Sequence, residues 1–514
     1  MVQFVTSLGD AKQLPGVYAL EVDPPPPSRA PGTDWVGFIG RFAWGPANTV
    51  VVIDSTQQYL NTYAPGGLGY TSTGYRALAR TVQGQLKIVR AVASDATTAS
   101  MRLATATPTD IWTIAAKYPG ALGGSVTIAI SAADDAVSTH FNATVTLGTE
   151  VEVYRNLSAI TGRISAPDIS ASKILGTFAA ISANVGSSTR PVNGTYVLGV
   201  TATNASTLVA GSDGTIAASD YSGTAGSGDK GIAKFEGDAD VTILCVDDCG
   251  SSLRVAVNTA LVAHCVAESS KMCIITGDSG GSPSAAMSDI GTNASAYRGE
   301  RVTYLANWCN VRDAAGALQL NPPCAFEAGA LAHMPRHLGS HWKDERNARY
   351  YRGITSLEWS PGRANAILMR NLGVDYLVPT TGGSFAPKNG ITTSLTAGQT
   401  AIARRRLADF VARGVTAGQE SYEGGPIDSV TRSEQIGRVK GFLQPMKDAA
   451  KQGEAATTEV IEDYAVSTLS SAEDLAAGVH RIAVRVKSFA TQDFIVFVLS
   501  VGTTVTITES AATA

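Results

Sequence analysis

The segment GDSGGSP, Gly277 to Pro283, places a serine between glycines and next to an aspartate. The segment VAHC, Val262 to Cys265, lies shortly before it and contains a histidine. Ser279 and His264 could act as the nucleophile and the base of a serine hydrolase if their side chains came within hydrogen-bonding distance and a carboxylate oriented the histidine. That geometry depends on the elements that carry the two residues.

The surrounding pattern argues against a hydrolase. TILCVDD and KMCIITGDS are predicted strands, and SSLRVAVNTALVAHCVAES between them is a predicted helix with Val255, Leu261 and Val262 on its apolar stripe. His264 lies in this helix, 15 residues before Ser279, whereas chymotrypsin-like enzymes take the two residues from distant parts of the chain. We interpret GDSGGSP as the loop after a parallel strand, with Asp or Ser starting the next helix, and a hydrolase as the disfavoured alternative.

Three histidines, His333, His337 and His341, are spaced four residues apart and would share one face of a straight helix. Such a face could bind zinc or nickel. Pro335 and Gly339 lie between them and favour an interrupted helix, so structural or surface histidines are the preferred interpretation. The sequence contains no P-loop motif and no GxGxxG after a predicted strand. We therefore predict no catalytic residue, no metal site and no cofactor.

All six cysteines fall within one 80-residue region, and no two of them form a CxxC pair, which disfavours a zinc ribbon. Two interpretations stay open. The thiols are buried and reduced, or they form disulfides, within or between subunits, after an assembled particle leaves the reducing cell. The residues are Cys245, Cys249, Cys265, Cys273, Cys309 and Cys324.

The composition indicates a globular chain with an unusually small charged fraction. Of the 514 residues, 16% are charged, against about 25% in an average soluble protein, and the net charge is −4. This favours extensive contact with other subunits, no general affinity for nucleic acid and no membrane insertion. The first residues, MVQFVTSLGD, lack the pattern of a secretory signal, and the run FIVFVL is too short to span a bilayer. We expect synthesis and folding in a cytoplasm.

The order of patterns along the chain predicts a fold class of α/β and α+β multidomain type. PGVYALEV is a predicted strand, and the DPPPPSRAPG that follows it is a stiff spacer, so the two form an arm. A βαβ sheet core, a β-rich insertion, a C-terminal α+β domain and terminal strands follow. The predicted boundaries are 1–22 (N-terminal arm strand), 23–104 (first part of the core), 105–235 (β-rich insertion), 236–390 (second part of the core), 391–492 (C-terminal domain) and 493–514 (C-terminal strands and arm).

Two helices and a strand are predicted in the C-terminal domain. The first helix follows a capping box of Thr396 and Gln399 and ends at Gly414, and the second follows a box of Thr431 and Glu434. Their apolar faces are, in order, Ala403, Leu407, Phe410 and Val411, and then Ile436, Val439, Leu443 and Met446, with a bend at Pro445. In the strand HRIAVRVK, Ile482, Val484 and Val486 share one side.

Several segments, taken in order over nearly the whole chain, resemble the contractile tail sheath proteins of bacteriophages and related injection machines. VEVYRNLSAI resembles a helix entrance of that family. FAPKNGITTS, 385–394, departs from a Trp-Gly-x-Arg-Thr stretch that is frequent there, and the cysteine cluster is not a general feature. The other similar segments are PGVYALEV, VGFIGRFAWGPANTVVVIDSTQQYLNTYA, AAKYPGALGGSVTIAI, LVAGSDGTIAASDYSG, NPPCAFEAGALAHMPRHLGSHWKDERN, RRRLADFVARGV and GFLQPM.

The resemblance implies a structural subunit and not an enzyme. It implies stacked rings of six copies in a helical sheath around a tail tube, with baseplate and tail terminator proteins as further partners. Residues 105–235 would face outward and 391–492 inward. The expected location is the virion tail, assembled in the host cytoplasm; a bacterial injection system is the alternative. The implied arm strands include Val17, Tyr18, Leu20, Phe494, Val496 and Val498, and the expected tube contacts are Arg438, Lys440, Lys447 and Lys451.

Overall fold

The computed structural model describes residues 34–67, 86–105, 110–158, 169–181, 190–312, 316–343, 351, 353–380, 382–452 and 458–490, and the backbone of 3–5 and 18–20. The strands are β1 (Gln3–Val5), β2 (Tyr18–Leu20), β3 (Trp35–Gly40), β4 (Val50–Ile53), β5 (Leu86–Arg90), β6 (Ser100–Ala104), β7 (Asp110–Ala116), β8 (Thr127–Ala132), β9 (Phe141–Leu147), β10 (Glu150–Leu157), β11 (Leu175–Ala180), β12 (Gly194–Val197), β13 (Ala205–Val209), β14 (Val241–Val246), β15 (Met272–Thr276), β16 (Val302–Leu305), β17 (Cys309–Arg312), β18 (Leu318–Asn321), β19 (Ile354–Leu357), β20 (Val374–Asp375), β21 (Leu377–Pro379), β22 (Phe385–Pro387), β23 (Asp463–Thr468) and β24 (Ile482–Lys487). The helices are α1 (Thr56–Tyr63), α2 (Ala218–Ser222), α3 (Ser251–Glu268), α4 (Pro283–Thr292), α5 (Ala294–Tyr297), α6 (Cys324–His333), α7 (Arg363–Asn371), α8 (Ile402–Ala417), α9 (Ser429–Lys451) and α10 (Ala472–Ala476).

A seven-stranded sheet with the order β20-β16-β15-β14-β3-β5-β4 forms the central layer. Its neighbouring pairs are parallel except for β4 and β5 at one edge. The chain runs from β3 outward to β5 and later enters β14 on the other side of β3, so the strand order reverses between β3 and β14. Every residue of β14 and β15 is buried, because a parallel sheet is covered on both faces. The predicted mixed α/β class is confirmed.

Helices cover both faces of this sheet. On one face, Val257 and Leu261 of α3 and Ile290 of α4 belong to the same apolar cluster as the side chains of β14 and β15 that point toward them. On the other face lies α6, in which nine of ten residues are buried. Phe326 and Leu331 of α6 share a second cluster with the opposite side chains of the sheet. Each face of the sheet therefore packs into its own apolar core.

Strands β6 to β13 form a β-sandwich of two antiparallel sheets, ordered β11-β7-β6-β13 and β10-β9-β8-β12. One apolar cluster fills the space between them. In it, Trp112 packs edge-on against Phe141 of the opposite sheet and Phe178 of its own sheet. The β-rich pattern predicted for 105–235 is present, and β6, from Ser100, already pairs with β7.

The buried side chain of Arg90 joins the central sheet to the sandwich. Only 2% of Arg90 is exposed, at the end of β5. It donates to the carbonyl oxygens of Phe42 (2.6 Å), Gly45 (2.8 Å) and Ala43 (3.4 Å) after β3, and of Pro119 (2.8 Å) between β7 and β8. Burial lowers the pKa of the guanidinium to about 10, so it stays charged at neutral pH. One cation thus fixes the connection between β7 and β8 of the sandwich to the loop after β3.

Helices α8 and α9 and the antiparallel hairpin β23–β24 share an apolar cluster of their own. The predicted faces are confirmed for Leu407, Phe410 and Val411 in α8 and for Val439, Leu443 and Met446 in α9, whereas Ile436 is half-buried. Val484 and Val486 of β24 pack against this cluster, as the alternation of HRIAVRVK predicts.

The predicted helix ends in this region are wrong in three places. Helix α8 begins at Ile402 after Ala401, which makes no side-chain cap bond, so Thr396 is not a cap. The helix also continues beyond Gly414 to Ala417. Helix α9 begins at Ser429, and the side chain of Asp428, not that of Thr431, caps it by accepting a hydrogen bond from the Thr431 amide at 2.6 Å.

Two further predictions are corrected. VEVYRNL is not a helix entrance but strand β10, which pairs with β9 along its length, as its β-branched alternating pattern allows. Val255, predicted on the buried stripe of α3, is 38% exposed, whereas Leu261 and Val262 are buried. A helix covered on one face buries a narrower stripe than the one predicted.

The arm predictions fall largely outside the described side chains. β2 lies within the predicted strand 15–22 and pairs in parallel with β1 of the same chain, with Gln3 opposite Tyr18. Val17 and the C-terminal positions Phe494, Val496 and Val498 lie outside the described residues, as does all of 493–514. The domain boundaries given above stay predictions.

The contact between α8 and α9 predicts the effect of a single methyl group. A Cβ at Gly414 would lie 2.2 Å from Cζ of the Phe442 ring, so we expect Gly414→Ala to lower the free energy of unfolding by about 1–3 kcal/mol through overpacking. Gly437 of α9 has open space at the same position, so Gly437→Ala should raise it by about 1 kcal/mol. Urea unfolding of the two variants checks this, and equal effects would contradict the close contact.

Candidate assembly site

The elements that carry Ser279 and His264 keep these residues apart. Ser279 is exposed in the loop after the carboxyl end of β15. His264 lies near the end of α3, where burial and then the charge of Lys271, at the start of β15, lower its pKa. The five residues of β15 span roughly 17 Å, so the two side chains lie toward opposite edges of the sheet. No serine–histidine pair forms here.

The aspartate of GDSGGSP has a structural role. Arg254 of α3 binds Asp278 at 2.5 Å and Asp289 of α4 at 2.7 Å, and Tyr304 of β16 donates to Asp289 at 2.7 Å. Ser282 caps α4, with its side chain accepting from the Ala285 amide, which confirms the predicted helix start. The loop therefore ties α3, α4 and the sheet together.

The histidine triplet is not on one helical face. Helix α6 ends at His333, and the chain leaves the helix before Pro335, as predicted. His337 accepts a hydrogen bond at Nδ1 from the Val460 amide at 3.4 Å, and the ring of His341 lies against Gly390. Within the described residues, no group of three or more His, Cys, Asp or Glu side chains is arranged to hold a metal ion.

The six cysteines are free thiols in the structure, and all except Cys249 are buried. Two pairs are neighbours. Burial and contact with Cys265 raise the pKa of Cys273, and contact with Cys245 together with burial raises the pKa of Cys324. Burial of five of the six thiols leaves them no surface through which to reach another subunit in this conformation. Disulfides, within or between subunits, stay a prediction.

A buried carboxyl lies beneath the central sheet. Glu327 of α6 is fully buried and accepts a hydrogen bond from the Tyr351 hydroxyl at 2.6 Å. Burial raises the pKa of Glu327 to about 7, although the hydrogen bond from Tyr351 acts in the opposite direction. Asp375, equally buried, accepts hydrogen bonds from the amides of Tyr376, Asn389 and Gly390. Sequence pattern alone did not reveal these two carboxyls.

The hairpin β23–β24 is the clearest candidate surface for adding a strand from another chain. It forms a sheet of two strands only, so within the described residues neither outer edge has a strand partner. One side of the hairpin packs on α8 and α9 through Tyr464 and Val484. The hairpin is therefore held in place while its edges stay open, which is the geometry needed for β-augmentation.

The four basic residues predicted to touch a tube lie on α9 and differ in their contacts. Arg438 lies over the Tyr422 ring at 4.5 Å and donates to Ser421 at 2.7 Å. Lys447 pairs with Asp463 of β23 at 2.6 Å. Lys440 is exposed, and the side chain of Lys451 is 70% exposed near Asp448. The first two thus have internal contacts, and the last two present their charge to solvent.

A buried ionic cluster surrounds Asp34, at the start of the described range 34–67. Asp34, 4% exposed, pairs with Arg336 at 3.0 Å, Arg406 at 3.3 Å and Arg413 at 3.2 Å. Burial would raise the pKa of Asp34, but the charges of these arginines outweigh it and lower the pKa to about 2. Arg336 also pairs with Glu459 at 2.7 Å. Asp34 lies two residues after the predicted spacer DPPPPSRAPG, so we call this cluster the root of the predicted N-terminal arm.

Solved structures of similar shape identify the fold. A sheath tail protein of Desulfitobacterium hafniense has a TM-score of 0.56 at 15% identity, over 81% of this chain and 86% of that one. One of Listeria innocua gives 0.56 and 15% over 90% and 96%. The contracted helical sheath of the anti-feeding prophage gives 0.52 and 14% over 96% and 99%.

This chain has the fold of contractile sheath proteins. The resemblance stated from the sequence segments is thereby confirmed at the level of the fold. The similarity extends over 90% and 96% of this chain and over 96% and 99% of the latter two structures. No protein-family model matches the sequence, and no curated protein is significantly similar to it. In the described part of this sheath fold, no helix has the length and apolarity to cross a bilayer.

The Arg254 network predicts which residue of the GDSGGSP region matters for stability. Arg254→Leu leaves Asp278 and Asp289 without their cation, and we expect it to lower the free energy of unfolding by about 3 kcal/mol. Ser279→Ala, at an exposed position, should change it by less than about 0.5 kcal/mol. Denaturant unfolding measures both. Loss of an ester-hydrolysing activity in Ser279→Ala would contradict the structural role of the loop.

The raised pKa of Glu327 predicts a pH dependence. The folded state holds this proton more tightly than the unfolded state, so the stabilising contribution is complete below about pH 4.5 and is lost as the pH rises through about 7. The free energy of unfolding of Glu327→Gln minus that of the wild type should therefore increase by about 3 kcal/mol between pH 4.5 and pH 8. Glu423→Gln, at an exposed position, is the control. A difference between Glu327→Gln and wild type that is constant with pH would show that Glu327 does not titrate as stated.

Proposed function

We propose that this chain is the structural subunit of a contractile tail sheath. In this role, copies polymerise helically around an inner tube, and contraction of the polymer drives the tube through a host envelope during genome delivery. The observation that carries the proposal is the similarity in fold, over nearly the full length of both chains, to the contracted sheath of the anti-feeding prophage. A contracted sheath complex of an extracellular contractile injection system has a TM-score of 0.52 over 95% of this chain.

Strand exchange between subunits is supported by the two ends of the chain and by the hairpin β23–β24. The predicted arm strand is separated in sequence from Asp34 by DPPPPSRAPG, whose composition is typical of a stiff spacer. The hairpin offers open edges to such strands. Main-chain hydrogen bonds would join the copies, and they are independent of side-chain sequence. Head-to-tail contacts of this kind produce an open helix when they do not close into a ring.

Contraction follows from conversion between two packings of the same subunits. The extended polymer is trapped kinetically, and the contracted polymer has the lower free energy. The folded units move as rigid bodies, and the arms act as hinges. The work requires no nucleotide, and we propose that the protein is not an enzyme and needs no cofactor.

The partners proposed are further copies of this chain in rings of six, a tail tube protein, and baseplate and tail terminator proteins. Lys440 and Lys451 are the preferred tube contacts among the four basic residues, because their charges are exposed. Arg438 and Lys447 stay in the proposed set with a smaller expected role. The sandwich would face outward and the C-terminal unit inward, in a virion tail assembled in the host cytoplasm.

A bacterial contractile injection system is the second candidate setting. It is favoured by the similarity to sheaths of the anti-feeding prophage and of an extracellular injection system. Particles purified from the producing cells separate the two settings, because a virion carries a DNA-filled head and an injection system does not. A hydrolase is disfavoured, because Ser279 and His264 lie toward opposite edges of the sheet.

Strand exchange can be tested by removing backbone donors from the arm alone. We expect the double substitution Tyr18→Pro and Leu20→Pro to abolish the long cylinders that negative-stain images of the wild-type protein should show, since proline cannot donate to a strand ladder. The matched control is Ser28→Pro, which adds a proline inside the spacer and should leave the cylinders intact. Undiminished polymerisation of the double variant would refute the role of the arm.

A further inference from the structure

The roots of the two terminal arms lie on the same small part of the fold. The N-terminal root is Asp34, which pairs with Arg406 and Arg413 of α8. The C-terminal root is Ser488 and Phe489, directly after β24. Both of them line a small cavity together with residues of α8 and with His337, next to Arg336. The other residues around this cavity are Ala401, Ala403, Arg404 and Leu407.

A second, independent connection runs through the segment before β23. Arg336 binds Asp34 with Nε at 3.0 Å and Glu459 with Nη1 at 2.7 Å, so one guanidinium links the N-terminal root to this segment. Three residues later the Glu462 amide donates to the Lys487 carbonyl at 2.9 Å, at the last position of β24. Lys487 also forms an ion pair with Glu462. The contacts are therefore continuous from Asp34 to Lys487.

The segment between these contacts is held rigidly. Val460 and Ile461 are fully buried. The Val460 amide donates to His337 Nδ1 at 3.4 Å, and the Ile461 amide donates to the Met446 carbonyl of α9 at 3.3 Å. The guanidinium of Arg336 lies 4.3 Å from the centre of the Phe410 ring of α8. A displacement at one end of such a packed connection is transmitted to the other end instead of being absorbed locally.

We propose that α8, Arg336 and residues 459–462 form a coupling unit through which the two arm roots control each other's position. In a sheath, this unit would pass the movement of one arm to the other arm of the same subunit, and so from one neighbour to the next. That consequence rests on the proposed function. The coupling itself is a property of a single subunit, and it is reciprocal, because a coupling free energy acts equally in both directions.

Hydrogen exchange on the full-length subunit, isolated before assembly by size exclusion, tests the coupling. Asp34→Asn preserves shape but removes the charge that holds the N-terminal root, and we expect about tenfold faster amide exchange in residues 485–490, more than 450 positions away in sequence. Glu459→Gln removes only the bridge to Arg336 and should have the same effect with less risk to folding, because Glu459 is less buried than Asp34.

The control is Asp220→Asn, which removes an equally buried carboxylate, paired with Lys230 at 2.7 Å, outside the coupling unit. It should leave exchange in 485–490 unchanged. Unchanged exchange there in both test variants would overturn the proposal, and so would equal acceleration in the control. Electron microscopy of the wild-type protein tests the proposed function separately. If no cylinders form, the proposed function is wrong, but the exchange result for the single subunit still decides whether the two roots are coupled.

Discussion

Both faces of the parallel sheet have to be covered by apolar side chains that exclude water. The burial of α6, of Glu327 and of the arginines near Asp34 follows from that constraint. On one face, α3 and α4 form an ordinary amphipathic cover with one side in solvent. On the other face, nine of the ten residues of α6 are buried, and side chains of α1, β17 and the first residue of α8 share its apolar cluster. A helix in that position can carry no exposed charge, so its single acidic residue, Glu327, lies in a dry environment and is held there by Tyr351.

Burial of α6 also explains the position of the arginines. Asp34 and Arg406 of α8 are both buried near the end of α6, so their polar groups must satisfy one another and the groups around them. Arg406 does so by donating to Asp34 and to the carbonyl oxygens of Leu331 and Met334. These carbonyls belong to the last turn of α6 and the residue just after it, where helical carbonyls lack partners within the helix. The ionic cluster therefore completes a helix end and fixes an arm with the same groups.

Sequence patterns correctly predicted the helices, strands and loops whose structure is determined by residues that are near each other in the sequence. The apolar run of β14, the spacing of α3 and the loop of GDSGGSP come from neighbouring residues, and so do the buried faces of α8 and α9. The contacts that decide the assembly site are not local: the partners of Asp34 lie 302, 372 and 379 residues away, and no periodicity marks them. Gly414 shows the same limit, since a glycine in a helix marks an end by local rules but here gives room to a ring from another helix. The segment of β10 was likewise mispredicted as a helix entrance, because its strand structure depends on pairing with β9.

The attachment of the sandwich to the central sheet has a consequence for the solution conditions that the fold tolerates. Arg90 is held by four peptide oxygens, none of which gains or loses a proton over the range in which proteins stay folded. Because only 2% of Arg90 is exposed, dissolved salt screens these contacts less than it screens pairs on the surface. Changes of pH and of salt should therefore leave the sandwich attached to the central sheet in the same way, and a pH dependence should be sought at the buried carboxyl of Glu327.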